Sequence, residues 1–449
     1  MSLSFLWTDL LIWGLVIALM IWGRIIGRSP QVKQQWLQIF QSHTAMITAV
    51  ILLFYLGFAL LDSVQVTLNQ NGDNHSNSLS LLDILFSHLA LVSERTYSAP
   101  FALTEYNKAT QFTDSGGVAQ VYLPLKHVAV HASVLWESIK ALAIGVIVST
   151  GLIGAHLSWR SHVHRQPFKA YALSVLRRQT VLPWKTAYWT VFVVVLFISW
   201  GYWLSLSFHV LGTDKVGMDV LYESLKSIRT GVLIGVLTTL VMLPIALILG
   251  ISAGLFKGWI DDVIQYLYTT LNSIPGVLLI AAAVLVMQVI MGNHPDWFAS
   301  TEERADIRLL FLVFILGMTS WTGLCRLLRA ETLKISQMEY VIAARAFGVS
   351  SPSVIRKHIL PNVMHIVLIS VVLDFSSLVL AEAVLSYVGV GVDPTMNSWG
   401  NMINQARLEM AREPIVWWSL FSAFFFMFIL VLAANLFSDR VQRVLNPRD

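Results

Sequence analysis

The sequence predicts an all-α polytopic membrane protein of about nine transmembrane helices, and three observations carry that prediction. Of 449 residues only 12% are Asp, Glu, Lys or Arg, against ~25% in globular domains, while 56% are apolar. That leaves too little charge to coat a water-facing surface. Apolar runs of roughly 18 to 25 residues, each able to cross ~30 Å of hydrocarbon at 1.5 Å per residue, recur from end to end. Lys and Arg collect in alternate loops between them. The composition excludes intrinsic disorder, and a single cysteine, Cys325, excludes an internal disulfide framework or a Cys-rich metal centre.

The runs fall near residues 5–22, 45–63, 135–157, 187–207, 229–255, 265–291, 309–328, 363–388 and 415–437. The first reads as a true span and not a signal peptide, because Asp9 interrupts its start, no basic stretch precedes it and no A-x-A site follows. With the N-terminus outside, 19 of the 30 basic residues lie in cytoplasmic loops, so the positive-inside rule sets the N-terminus outside and the C-terminus in the cytoplasm. The net charge of +4 is then an orientation signal, with no nucleic-acid role. The run Ile84 to Val92 is too short to span. Residues 62–133 are rich in Asn, Ser and Asp and form an extracytoplasmic cap or loose loop, too small to carry an enzyme. They sit within an additional N-terminal membrane region, residues 1–160, that has three spans. A partial repeat links this region to the remainder: Val134 to Val146 matches Val220 to Val232 at seven of thirteen positions.

Inside the predicted spans, Asp374 is the informative residue. A carboxylate at mid-span costs ~3 kcal/mol to insert and belongs in a bundle interior or wet cavity, as a path residue or a buried structural one. Gly231, Gly235, Gly250, Gly254 and Gly258 repeat every four residues in places, which lets helices approach closely. Pro275 is expected to kink the sixth span. There is no phosphate-binding loop, H-E-x-x-H pair or G-x-S-x-G elbow, and thus no catalytic residue to name. His127 and His131 stand four apart, but two ligands without a third do not make a metal site, and none is predicted.

The stretch 329–362, RAETLKISQMEYVIAARAFGVSSPSVIRKHILPN, is too polar to span and too regular for a linker. A helix over Val341 to Phe347, capped by Gly348, and a second short helix from Ser351 ended by Pro361 would project as a docking knob. This pattern resembles the coupling loop of permease subunits of binding-protein-dependent ABC importers. Ala343, Ala344 and Gly348 occupy its E-A-A-x-x-x-G positions, with Arg345 inside the motif, and Ile359, Leu360 and Pro361 close it. Ile342 stands where the family has Glu. Leu211, Gly212, Thr213, Asp214, Gly217, Asp219 and Val220 are similar to the L-G-T-D-x-x-G-R-D-V of the dipeptide, oligopeptide and nickel branch, Met218 replacing its Arg. Ala381 to Gly391, the Ser398, Trp399, Gly400 triplet and the Asn435 to Arg448 ending resemble further segments of that branch, in its C-type subunit.

The resemblance covers residues 165–449, a six-span core, and implies an inner-membrane importer. Its partners would be a B-type permease, two ABC ATPases that use ATP and Mg, an extracytoplasmic solute-binding protein and membrane lipid. No cofactor would be bound by this chain itself. Gly212, Thr213, Asp214, Asp219 and Trp399 would lie at the binding-protein face, with peptide or, less commonly, nickel as cargo. An ion-coupled carrier using Asp374 and Glu382 is the reading of a different class, and it leaves the knob unexplained.

Overall fold

A computed structural model describes residues 2–4, 6–26, 30–67, 78–112, 118–128, 133–298 and 300–445. The helices are, in order, α1 (Trp7–Ile26), α2 (Pro30–Gln41), α3 (His43–Ser63), α4 (Leu81–Leu85), α5 (Ser87–Ala90), α6 (Val134–Val163), α7 (Phe168–Leu176), α8 (Trp184–Ser205) and α9 (Val220–Phe256). They continue with α10 (Trp259–Ser273), α11 (Gly276–Asn293), α12 (Thr301–Ile335), α13 (Glu339–Ala346), α14 (Ser351–Val354), α15 (Leu360–Tyr387), α16 (Trp399–Glu409) and α17 (Trp418–Leu445). Among the described residues, strands are confined to two small antiparallel groupings. One is formed by Ser2–Ser4, Gln65–Thr67 and Ser78–Ser80, the other by the hairpin Ala109–Phe112 with Val118–Val121.

Among the described residues eight helical segments are long and apolar enough to cross a membrane: α3, α6, α8, α9, α11, α12, the continuous Ser351–Tyr387 and α17 to Val444. They fall on the second to ninth expected runs. The first run falls on α1, whose apolar part is Trp7–Ala18. At 37 residues α9 is about 55 Å long, well beyond the hydrocarbon thickness, so it also supplies structure outside the membrane.

Two expectations based on proline need correction. Pro275 does not kink one span but ends a helix: Ile274 before it is extended (φ −92°, ψ 131°), as crowding by the proline ring demands, and separate helices α10 and α11 result. Pro361, expected to stop a short helix, lies in the first turn of α15. There the chain runs on through a π-helical turn, Ile355–Ile359, in which the Leu360 N–H reaches back five residues to the Ile355 carbonyl. The wider turn absorbs the donor that proline lacks.

The chain divides into two compact units. The first comprises Met1–Phe5, Val16–Thr230 and Asn397–Arg440. In it α8 packs against both α3 and α6, a Cβ at Gly145 of α6 would lie 3.2 Å from Ser199 Cβ, and the Tyr55 hydroxyl donates to the Phe426 carbonyl (2.8 Å). The repeated motif begins a helix in both copies, α6 at Val134 and α9 at Val220.

The second unit comprises Leu6–Leu15, Gly231–Met396 and Val441–Asp449. Its glycines allow backbone-close packing. A Cβ at Gly250 would sit 2.8 Å from the Cys325 carbonyl oxygen and from Leu328 Cβ; one at Gly254 would sit 2.6 Å from Thr332 Cβ. Gly235 faces the Phe375 ring in the same way (2.5 Å). Gly258 is different: it has open space and a φ of +62°, and it serves the turn into α10. At the start of α1, Thr8 donates through its backbone N–H (3.2 Å) and its hydroxyl to Asp306, the latter being a very short contact.

Gly250→Leu is expected to lower stability by about 1 to 3 kcal/mol through overpacking, read as a fall in the thermal midpoint of the detergent-purified protein. Gly323→Ala, in open space within α12, should leave the midpoint unchanged or raise it, because alanine is the better helix former.

Candidate functional site

The knob begins with the length of α12, whose 35 residues carry the chain past the apolar layer before Ser336 caps its end. Helix α13 follows and ends in a Schellman arrangement, with the Val349 N–H on the Ala344 carbonyl (3.1 Å) and the Gly348 N–H on that of Arg345 (2.9 Å). That motif needs a left-handed residue at its turn, and Gly348 supplies it with φ +79°. Ala343, Arg345 and Gly348 are exposed and Ala344 half-buried. Ile342, in the place of the family Glu, is 54% exposed, and Phe347 is 88% exposed. Together with Tyr340 and Val349 they present apolar surface that no described residue covers.

The other half of the motif points inward. Val341, Val354, Ile359 and Val363 are buried in one cluster with Met242, Cys325 and Leu328, and Leu360 packs against it. Pro361 itself is exposed. The Arg345 guanidinium donates to the Leu255 carbonyl (3.3 Å), and Asn362 donates to the Tyr340 hydroxyl (3.2 Å) and the His358 carbonyl (2.6 Å). Arg329 grips Asp261 of α10 through two hydrogen bonds of 2.5 and 2.7 Å, which holds that carboxyl below its usual range. Through Val341, α13 is thus packed against side chains of α9, α12 and α15.

The loop before α9 is a second built site. Asp219 is the N-cap of α9: its Oδ1 accepts the Tyr222 N–H (3.0 Å) while its Oδ2 accepts His209 Nδ1–H (2.8 Å). Asp214 closes the preceding turn by accepting the N–H groups of Val216 (2.9 Å) and Met218 (2.7 Å). The residues of the N-terminal region reach into this loop. Thr213 N–H donates to the Ser98 carbonyl (3.1 Å), Ser98 N–H to Thr213 Oγ1 (2.6 Å), and Glu94 N–H to the Gly217 carbonyl (2.9 Å). A Cβ at Gly212 would lie 2.4 Å from the Ser98 carbonyl oxygen, and one at Gly217 2.0 Å from that of Glu94. The Glu94 carboxylate accepts the backbone N–H groups of Lys126 and His127 and lies 3.5 Å from His209 Nε2.

Gly212, Thr213, Asp214, Asp219 and Trp399 are all buried. Trp399, the first residue of α16, donates its indole N–H to the Ser224 carbonyl (3.1 Å), and Ser398 caps that helix. What this loop exposes is Lys215 and Val216, the latter 67% exposed. The N-terminal region also makes ion pairs with the start of α9: Lys226 with Asp83 (2.7 Å) and, at 3.9 Å, Arg229 with Asp62. Sequence reasoning passed over Asp62, Asp83, Glu94 and His209; in so charge-poor a chain, an isolated charge at a span boundary was the available signal.

Asp374 is half-buried within α15, and its carboxylate has no hydrogen-bond or ion-pair partner among the described residues; the Ser377 hydroxyl bonds its backbone carbonyl (2.8 Å) instead. His131, Pro447 and Arg448 lie outside the described residues.

Eight segments able to span a membrane, with the exposed helix α13 between two of them, define a polytopic membrane protein in class, and comparison with known proteins fixes the family. The family model for the inner membrane component of binding-protein-dependent transport systems matches residues 246–448. The dipeptide transport permease DppC of Bacillus subtilis is 30% identical over 240 residues, 54% of this chain and 69% of the relative. The oligopeptide permease OppC of Mycobacterium tuberculosis is 32% identical over 239 residues (53% and 76%), and the glutathione permease GsiD of Pectobacterium atrosepticum is 30% identical over 242 (54% and 73%). The chain belongs to the ABC importer permease family, in its peptide branch. It is a multi-pass membrane protein and a permease subunit of an ABC importer.

His209 offers a measurable handle on the loop. Burial alone would depress its pKa, but the hydrogen bond and charge of Asp219, then those of Glu94, outweigh burial and hold it above the ordinary value. The resulting stabilisation is complete below the unfolded value of ~6.5 and is lost as pH rises through the folded value. The thermal midpoint of the native protein should therefore exceed that of His209→Gln most at acidic pH, and the gap should close toward alkaline pH. Comparison with this variant cancels the opposite contribution of His88, whose pKa is lowered by burial and then by His127. A gap independent of pH would remove the charge from this account.

Proposed function

We propose that this chain is the C-type permease subunit of an ATP-driven importer that carries peptides across the bacterial inner membrane by alternating access. The observation that carries the reading is the knob. Apolar Ile342 on α13 and Phe347 at its C-cap stand exposed, while the neighbouring Val341 is buried among residues of α9, α12 and the Ser351–Tyr387 segment. Such a surface wants a partner, and a chain without a nucleotide-binding motif wants a motor. Two ATPase subunits, which hold ATP and Mg, would dock there; this chain contributes no cofactor of its own. ATP-driven closure of the ATPases would move α13 and, through the shared cluster, tilt α12 and α15. A B-type permease would complete the path, and a solute-binding protein would deliver cargo at the extracytoplasmic side. The charge pattern supports an N-terminus outside and a C-terminus in the cytoplasm. Peptide cargo rests on the relatives named above, which are permeases for dipeptides, oligopeptides and glutathione.

The exposed positions are the ones to test, because changing them leaves the core intact. Phe347→Asp combined with Ile342→Asp is expected to weaken ATPase association about 30-fold, the loss typical of an interface anchor worth ~2 kcal/mol, and to abolish uptake of a labelled peptide. Membrane level and thermal midpoint should stay unchanged. Undiminished co-purification of ATPase and undiminished uptake in that variant would overturn the assignment.

A further inference from the structure

The additional N-terminal membrane region carries an unusual charge pattern. No Asp or Glu occurs between Asp9 and Asp62 or between Glu137 and Asp214, whereas Arg24, Arg28, Lys33, Arg160, Arg165, Lys169, Arg177, Arg178 and Lys185 all fall in those stretches, in the two loops on one side of the membrane. A cavity of about 180 Å³ opens on that side, where α3 and α8 both begin. Arg178, Lys185, His43, Gln41, Thr180 and Thr186 line it, with Val181, Leu182 and Trp184 as its apolar wall. His43 Nδ1 and Thr186 Oγ1, 2.6 Å apart, join the two helix starts across it. Neither Arg178 nor Lys185 has an ion pair among the described residues, so two cations converge on one cavity without an anion. The cap of α8, Pro183, offers no side-chain acceptor, which leaves the positive end of a 22-residue helix on the same cavity.

Its depth follows from the surrounding aromatics. Trp184 and Tyr188 lie beside His156, and the Arg160 guanidinium stacks on the Trp184 ring at 4.7 Å, the arrangement of an aromatic girdle at headgroup level. Helix α2, which precedes α3, is amphipathic and too short to span, as suits a segment lying in the interface.

We propose that this cavity seats the phosphate group of an anionic glycerophospholipid. Arg178 and Lys185 supply the charge and the Gln41 side chain a hydrogen bond, the Thr180 hydroxyl being held by the Leu182 carbonyl and that of Thr186 by His43; Val181 and Leu182 meet the glycerol and upper acyl chain. The other basic residues of these acid-free stretches of sequence attract the anionic leaflet as a whole. Which leaflet supplies the lipid rests on the orientation proposed above; binding itself does not, so the two can fail separately.

The test is lipid binding to the detergent-purified full chain, read by native mass spectrometry with phosphatidylglycerol, with phosphatidylcholine and with inorganic phosphate. Phosphatidylglycerol should bind more tightly than phosphatidylcholine. The double variant R178Q/K185Q should lose about 30-fold in that affinity, as two surface cations contribute about fivefold each. R178K/K185R keeps the charge and should keep most of the binding, and Lys169→Gln, outside the cavity, should match the native protein. Equal binding of the two lipids, or no loss in the double variant, overturns the proposal. Saturable binding of inorganic phosphate that displaces the lipid would make this a free-phosphate site and would overturn the assignment to lipid.

Discussion

Helices surrounded by lipid gain little by burying apolar surface against one another, because the surroundings are equally apolar; what they gain comes from how closely they approach. The second unit depends on that constraint. The backbone of α12 lies where side chains of Gly250 and Gly254 would have been, with the Cys325 and Arg329 carbonyls 2.8 Å from the missing Cβ positions. Gly317 returns the contact from α12, its own missing Cβ 2.6 Å from Val241. This closeness brings α9 and α12 together above the Asp261 and Arg329 pair and makes the apolar cluster into which Val341, Val354 and Ile359 fit. The motif at 342–361 is therefore two-sided by construction. Its first half offers surface and its second half is anchored.

The first unit is organised by polar contacts instead. The segment 94–101 adds backbone hydrogen bonds to the loop before α9, and Asp83 and Asp62 supply the counter-charges for Lys226 and Arg229. A long cation on the first turns of a span is costly when unpaired, so these carboxylates make the N-terminal region part of the permease's own electrostatic balance.

The helical class, the positions of eight spans and the glycine-capped turn of the knob were legible in the sequence because each follows from local rules: length of an apolar run, and a left-handed residue at a helix end. The prolines misled for an equally local reason. At Pro275 the conformational limit on Ile274 outweighed the continuity of the apolar run, and at Pro361 a π turn supplied an alternative to termination. The buried state of Thr213, Asp214, Asp219 and Trp399 was not legible at all. A conspicuous polar motif between spans looks like an exposed face, and only the chain 115 residues upstream, folded back as far as Ser98 and Glu94, turns it into an interior.

Gly212 and Gly217 show what this arrangement means for exchangeability. Each has a positive φ, and each also has a carbonyl oxygen of the N-terminal region within 2.4 Å of where a side chain would begin. The loop and the segment that covers it are therefore matched surfaces, cut to one another at the level of single atoms. Grafting either half onto the corresponding half of a relative would require both glycines and the path of residues 94–98 to travel together. Residues 94–98 and the loop before α9 are, in that sense, a single structural part.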